Sequence, residues 1–372
     1  MPRKKVLVAG ASGLVGFAAI RLFSQRDDWD VVSVSRRVPA GIEHYPGTFI
    51  PVDLLDQQRC AEIFSSMSDV THLVYAAVNE KPGDLVRGWR DREQMQTNLT
   101  MMRNLFEPLS AAAKNLEHVS FLQGTKAYGV HLRGPRLPMP YRERYPRHQH
   151  DNFYWLQEDY VRGKQAGQKW HWTVFRPQLV IGEAIGSNLN MVAAVGVYAA
   201  IRREAGLPLS YPGGPRLVTE MVDVDLIARA LHWAATAPTA RNEIFNITNG
   251  DVCIWHDVWP AIAESLGMEP GQPEPLSLEQ EMPKHAAQWA EIVRKYNLTS
   301  PADMHKFVGE SFALTDGGFF YGGSTEGSGL RATLVSTIKL RQAGFHDCID
   351  TEDMFRKWFK RYQELRWLPP VG

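Results

Sequence analysis

Lys5-Val6-Leu7-Val8-Ala9, followed by Gly10-Ala11-Ser12-Gly13-Leu14-Val15-Gly16, is the stretch that decides the fold. The first five residues read as a short strand buried on both faces. The next seven form a G-x-x-G-x-x-G turn, and Phe17 to Phe23 continues as a helix. A glycine triad alone is weak evidence. Set between a strand and a helix it has a specific use. Gly10 lets the chain turn tightly, Gly13 lets backbone approach a pyrophosphate, and Gly16 packs the helix against the strand. The helix start then offers amide protons and the positive end of its dipole to the anion. The N-terminal half therefore reads as a Rossmann domain for a nicotinamide dinucleotide.

The pattern outward from this turn agrees. Strand-like runs recur at 31–35, 48–52, 71–77, 116–122 and 172–176, with helical segments near 59–66, 93–112 and 153–168 between them. This alternation predicts an α/β fold: a doubly wound parallel sheet with helices on both faces. The stretch Arg133 to His150 is rich in Pro and Arg without periodicity and reads as a loop insertion. After Pro177 the pattern changes. Helices are expected near 190–203, 224–235 and 256–266, with a strand at Phe245-Asn246-Ile247, and the rest reads as mostly helical and aromatic. Residues 1–180, with part of 215–250, are expected to form the dinucleotide domain. Residues 181–214 and 251–372 are expected to form a smaller, mostly helical substrate-binding region.

The end of the second strand bears on the cofactor. An acidic residue there would bind ribose hydroxyls and repel a 2′-phosphate. Arg36 and Arg37 stand there instead. Two guanidinium groups suit a phosphate, so the expected cofactor is NADPH (NADP). Asp53, after the third strand, is placed to touch the adenine.

Three further stretches carry a resemblance: Gly124-Thr125-Lys126-Ala127-Tyr128-Gly129, Asn152-Phe153-Tyr154-Trp155-Leu156-Gln157-Glu158-Asp159, and Phe175-Arg176-Pro177 followed by Ile181-Gly182. With the glycine turn, they resemble the extended short-chain dehydrogenases/reductases. More narrowly they resemble the progesterone 5β-reductase/iridoid synthase-like enone reductases. The likeness runs to the C-terminus, through a Gly-rich turn, a helix from Thr333, Gly344-Phe345 and a Trp-rich end. The resemblance implies that Tyr154 and Lys126 are the catalytic pair. In ordinary members a Tyr-x-x-x-Lys pair does this work, but Glu158 stands four residues after Tyr154. Gly124 stands where a typical extended member has a serine. The resemblance also implies further cofactor contacts beside Gly10, Gly13, Gly16 and the arginines. These are Ser12, Leu14, Val15, Ser35, Leu54, Ala76, Ala77, Gln123, Gly124, Tyr154, Pro177, Leu179 and Val180. Phe153 and Trp155 are candidate pocket walls. Trp155 departs from the plant members, which often have a second tyrosine there.

One rival stays open on the residues. Tyr160-Val161-Arg162-Gly163-Lys164 is a literal Tyr-x-x-x-Lys that would face one side of a helix. The implied activity is hydride transfer from NADPH to the C=C bond of an unsaturated carbonyl compound, an enone or enal. A sugar-nucleotide epimerase or dehydratase, a carbonyl reductase, and a non-catalytic NADP-binding sensor or scaffold are the alternatives.

Composition bounds the rest. Lys plus Arg equals Asp plus Glu at 41 each, so no basic excess points to nucleic acid. The three cysteines form no C-x-x-C pair, which favours a reducing compartment. No apolar run reaches bilayer length, so no membrane partner is expected and the expected location is cytoplasmic. His148-Gln149-His150 has no zinc spacing, and no metal is expected. The assembly is expected to be a monomer or a homodimer.

Overall fold

The computed structural model describes residues 3–80, 91–132, 137–321 and 332–371. Its centre is a seven-stranded sheet in which every neighbouring pair is parallel. Strands β1 (Lys4–Ala9), β2 (Trp29–Ser35), β3 (Thr48–Pro51), β4 (His72–Tyr75), β5 (His118–Leu122) and β6 (His171–Pro177) are joined by a seventh, Glu243–Ile247. Their spatial order is seventh, β6, β5, β4, β1, β2, β3. The order reverses at β1, so β1 and β4 flank the crevice where such sheets bind ligands. The registers Val6↔Val31 and Val6↔His72 seat β1 between its neighbours.

Helices cover both faces. Helices α1 (Leu14–Ser24) and α6 (Val224–Ala234) lie on one, where Ile20 and Phe23 meet Leu226, Ile227 and Leu231. On the other lie α2 (Gln57–Phe64), α3 (Arg92–Ala112) and α4 (Phe153–Gln165), with Cys60, Leu105, Phe106 and Val161 turned to the sheet. Because both faces are covered, β1 and β2 carry near-continuous apolar runs rather than alternation.

Much of the chain after Pro177 shares a further core, which Leu14 and Ala18 of α1 join. Helix α5 (Met191–Glu204) is buried from Met191 through Ile201, so it is apolar all round and central. Helix α7 (Trp255–Ser265) and the helices Ala286–Lys295 and Thr351–Glu364 pack about it. Trp358, Phe359, Tyr362 and Trp367 are all buried there. An ion network staples this region to the sheet domain. Arg21 of α1 pairs with Glu183 and Asp225, Lys357 with Asp223 and Asp225, and Arg361 with Glu183. Asp223 also caps α6, its Oδ1 accepting the Asp225 N–H at 2.8 Å.

Two details differ from expectation. No helix begins at Thr333; the helix there is Ile338–Gln342. Residues 137–150 hold no helix, as expected of a loop, but a bridge between Tyr141 and Val335 pins them. The Gly-rich turn before residue 332, and Arg133 to Arg136, lie outside the described residues. Among the described residues no helix is long and apolar enough to cross a membrane.

Candidate active site

The crevice at the carboxyl ends of β1, β2 and β4 is built first by the glycine turn. Gly10 has φ +89°, and a Cβ there would lie 2.6 Å from the Ala76 carbonyl carbon. A Cβ on Gly16 would collide with the Gly10 carbonyl oxygen, so α1 can approach the turn only as glycine. Gly13 is the N-cap of α1 and supplies no side-chain cap. The first-turn amides are therefore left for an anion in the cleft. Ser12, Ser35, Arg36, Arg37, Asp53, Leu54, Ala76 and Ala77 line that cleft with Gly10 and Gly13.

Arg37 reaches across the mouth, its guanidinium donating to the Gly186 carbonyl at 3.1 Å. Arg36 is exposed. Asp53 spends one carboxylate oxygen on the Leu55 N–H at 3.0 Å. These residues suit a dinucleotide: glycine room and amides for a pyrophosphate, and two arginines following the end of β2. Leu14 packs into the helical region's core, and Gly16 is sealed against Gly10, so in α1 only backbone is on offer.

Several lining residues were not anticipated: Val52, Leu55, Val78, Asn79, Glu80 and Met101 from the sheet side, and Gly186 to Leu189 from the other wall. The strand-end rule that singled out Ala76 and Ala77 would also have reached Asn79 and Glu80. Nothing local marks 186–189, whose role comes from tertiary packing. Asn98 of α3 fixes the turn after β4 twice. It accepts from the Asn79 N–H at 2.8 Å and donates to the Asn79 carbonyl at 2.9 Å.

The lysine and tyrosine stretches meet beside this crevice. A short 3₁₀ turn, Thr125–Tyr128, follows β5. Thr125 ties it to Gln178 at 2.8 Å, and the buried Tyr128 hydroxyl donates to Asn246 at 2.6 Å. Asn152 joins the two stretches. Its Oδ1 accepts the Tyr154 N–H at 3.0 Å, capping α4, while its Nδ2 donates to the Lys126 carbonyl at 3.4 Å. Tyr154 is thereby set in the first turn of α4, and its hydroxyl folds back over Gly124. A Cβ at Gly124 would lie 3.1 Å from that hydroxyl oxygen and 3.7 Å from the Pro177 carbonyl. Glycine at 124 is thus the space into which the phenol fits.

Burial shapes the charges here. It brings the Lys126 ammonium down to about 8, with the Glu80 carboxylate pulling the other way. Tyr154 is pushed well above the usual phenol value, first by burial and then by Glu80, while Arg176 opposes. Glu80 is itself raised by burial, against Lys126 and an Asn188 hydrogen bond.

The remaining candidates separate. Gln123 does not face the cleft. Its amide donates to Glu158 at 2.8 Å and accepts from Arg176 at 2.8 Å, behind Tyr154. Glu158, in the place of the usual lysine, is 3% exposed and also meets Arg147 and Arg162. Phe153 packs edge-on to Tyr154 at 4.8 Å between ring centroids. Trp155 is buried between the Arg147 and Arg176 guanidiniums, its N–H given to the His150 carbonyl. That ring is a packing element, away from the cleft lining. Leu179, at φ +36°, and Val180 carry the chain from β6 into a short parallel pairing with Val222–Asp223.

The rival pair is elsewhere. Tyr160 and Lys164 both reach Glu107 of α3, at 3.4 and 3.5 Å, and Tyr160 packs on Phe106. His148 packs on His150, which in turn packs on Trp155. Among the described residues no group of three His, Cys, Asp or Glu is arranged for a metal ion.

A parallel doubly wound sheet, a glycine turn opening α1, and a tyrosine and lysine at the carboxyl edge of β5 define an oxidoreductase of the extended short-chain dehydrogenase/reductase class. The family model for a PRISE-like Rossmann-fold domain matches residues 52–316. The chain is 33% identical over 309 residues to the (S)-8-oxocitronellyl enol synthase of Catharanthus roseus, covering 78% of this chain and 76% of that one. It is 28% identical to the 3-oxo-Delta(4,5)-steroid 5-beta-reductase of Arabidopsis thaliana, covering 98% and 92%. Among solved structures, the UDP-glucose 4-epimerase of Thermotoga maritima aligns with a TM-score of 0.67 at 17% identity, over 97% of this chain and 99% of that one. WbmH of Bordetella bronchiseptica, solved with NAD+, aligns at 0.66 and 15%, over 97% and 99%. Those two are likenesses of fold. The chain belongs to the PRISE-like Rossmann-fold family.

Proposed function

We propose that this protein is an NADPH-dependent reductase acting on the C=C bond of an α,β-unsaturated carbonyl compound. The observation that carries the reading is the Tyr154 hydroxyl seated over Gly124, with Lys126 two residues on and the glycine-turn crevice alongside. The curated relatives named above support the substrate class. NADPH would be held by the α1 amides at Gly13, with Arg36 and Arg37 toward its 2′-phosphate, and it supplies the hydride. As the β-carbon is reduced, negative charge grows on the carbonyl oxygen. Tyr154, kept neutral by burial, donates a hydrogen bond to that oxygen. The Lys126 ammonium stabilises the same charge through its field. Burial of both groups raises the value of each interaction by excluding water. No hydroxyl at 124 is needed, because no alcohol product has to be gripped.

The epimerase reading draws on fold likeness alone, and the usual lysine position holds Glu158 in a buried ion cluster. A sensor would bind NADPH and turn nothing over. A screen of enals, enones and sugar nucleotides against NADPH oxidation separates the three. Turnover with none of the activated alkenes sinks the proposal.

Two expected results follow from the site. Wild type should prefer NADPH to NADH, and Arg36→Ala with Arg37→Ala should cut that preference at least roughly tenfold, the worth of a charge-assisted bond. Dissociation constants from fluorescence titration measure this; an unchanged preference in the double variant counts against the assignment. The second concerns pH. The ammonium form of Lys126 is lost as pH rises through about 8. Log kcat/KM for reduction should therefore be flat below that value and fall above it. A basic limb set near the ordinary lysine value would contradict a working Lys126 ammonium.

A further inference from the structure

Glu80 is the buried carboxyl of this site that the chemistry above leaves unused. It follows β4 by five residues, in the turn that Asn98 clamps through the Asn79 backbone. It lines the crevice together with Asn188 from the opposite wall. The two carboxylate oxygens differ. Oε2 accepts from Asn188 Nδ2 at 3.4 Å, and that amide is oriented because its Oδ1 accepts the Glu310 N–H at 3.3 Å. Oε1 is buried with no hydrogen-bond partner among the described residues. A buried carboxylate oxygen without a partner is costly unless a charge nearby compensates it.

Among the described residues, the charged and titratable groups that face this carboxyl and its neighbours come from three elements. Lys126 comes from the turn after β5 and Tyr154 from the first turn of α4, and both feel the Glu80 charge. Arg176, from β6, faces Tyr154 but is held by Gln123 and Glu158. Glu158 is engaged elsewhere, with Arg147, Arg162 and Arg176.

We propose that Glu80 is a positioning residue, a carboxylate that offsets the Lys126 ammonium and keeps the Tyr154 phenol a hydrogen-bond donor. Burial alone drives Lys126 toward its neutral amine. A carboxylate in the turn after the neighbouring strand β4, at the same sheet edge, opposes this and so extends the pH range in which the cation is available. The same negative charge opposes ionisation of Tyr154. An ordinary Tyr-x-x-x-Lys site promotes the tyrosinate, which takes a proton from an alcohol. The Glu80 arrangement biases this site the other way, toward giving a hydrogen bond to an oxyanion. That consequence rests on the reductase reading; the charge balance itself does not.

The test is a titration of Lys126 that needs no substrate. Trace acylation by acetic anhydride across about pH 6 to 10, read by peptide mass spectrometry, follows the neutral amine in the intact protein. In wild type the midpoint should lie near 8. In Glu80→Gln, which keeps the shape and the Asn188 contact, it should fall by about one pH unit, the scale expected for loss of one nearby charge in a partly shielded site. The basic limb of kcat/KM should move down with it. Glu80→Asp retains the charge and should keep the midpoint nearer to wild type than Glu80→Gln does. Circular dichroism and NADPH affinity guard against a folding or cofactor effect. A midpoint unmoved in Glu80→Gln overturns the proposal, and so does a tenfold loss of NADPH affinity with the midpoint unchanged. If no enone is turned over but the midpoint moves, the charge balance stands and the substrate reading alone fails.

Discussion

Tyr154→Phe is expected to lower kcat/KM for enone reduction roughly 10²–10⁴-fold, the usual range for a positioned proton donor, with NADPH affinity and folding intact. The phenol ring is buried against Phe153, and Phe keeps that packing. Only the hydroxyl is lost, and it sits over Gly124, where a Cβ would come within 3.1 Å of it. Lys126→Ala should also lose rate, because the growing oxyanion loses its cation. Tyr160→Phe and Lys164→Ala should stay within a few-fold of wild type. Both groups reach the exposed Glu107 on the outer side of α3, and surface contacts of that kind are worth little. Comparing the four single variants on one enone measures this. If Tyr160→Phe and Lys164→Ala were the damaging pair, the chemistry would belong with ordinary Tyr-x-x-x-Lys carbonyl reduction.

How much of this was legible depends on whether the signal is local. The β1–turn–α1 unit was, because a parallel strand covered on both faces reads as an apolar run and the turn demands glycine at 10 and 16. The arginines after β2 were legible for the same reason, whereas the cap at Asn152 emerged only from the structure. The strand Glu243–Ile247 was expected only as a short run at 245–247. Its place at the sheet's edge beside β6 is set by backbone pairing with a segment about seventy residues away. The wall at Gly186 to Leu189 carries no period or punctuation. It faces the cleft because the helical core behind it and the Arg37 contact hold it there. Trp155 has a partner in the insertion loop that no local signal reports. Arg147 covers the ring from a stretch with no regular structure. Gln123 lies at the right strand end for a cofactor contact, but its amide is drawn backward by Glu158 and Arg176. Burial of charge is the common cause: which carboxylate meets which cation is decided by tertiary contacts, and no spacing rule reports it.

Glu158 gives the sharpest consequence of that lesson. It occupies the fourth position after Tyr154, so Glu158→Lys would restore a literal Tyr-x-x-x-Lys. The expected result is loss of stability without gain of dehydrogenase activity. In the native protein the Glu158 carboxylate accepts from Gln123 at 2.8 Å and from Arg162 at 3.0 Å, and pairs with Arg147 at 3.2 Å and Arg176 at 3.8 Å. Arg147 and Arg162 are partly in water, with side chains 34% and 46% exposed, so their share of the pairing is small. Arg176 is different, at 7% side-chain exposure, and without Glu158 it remains a buried cation. Removing one partner of such a pair costs about 3–5 kcal/mol. Glu158→Ala should therefore lower stability by about that much. Glu158→Lys should lower it further, because a second cation is forced against the first. Glu158→Gln keeps a group that can accept hydrogen bonds and should fall between wild type and Glu158→Ala. Urea denaturation of the three variants and wild type gives the order directly. Gln123 links Glu158 to the backbone carbonyl of Tyr154, at 3.5 Å, so the surviving folded fraction of Glu158→Ala should also lose kcat. A Glu158→Lys protein as stable as wild type would mean that the buried cluster does not hold α4 in place, and that Tyr154 is positioned by its Asn152 cap alone.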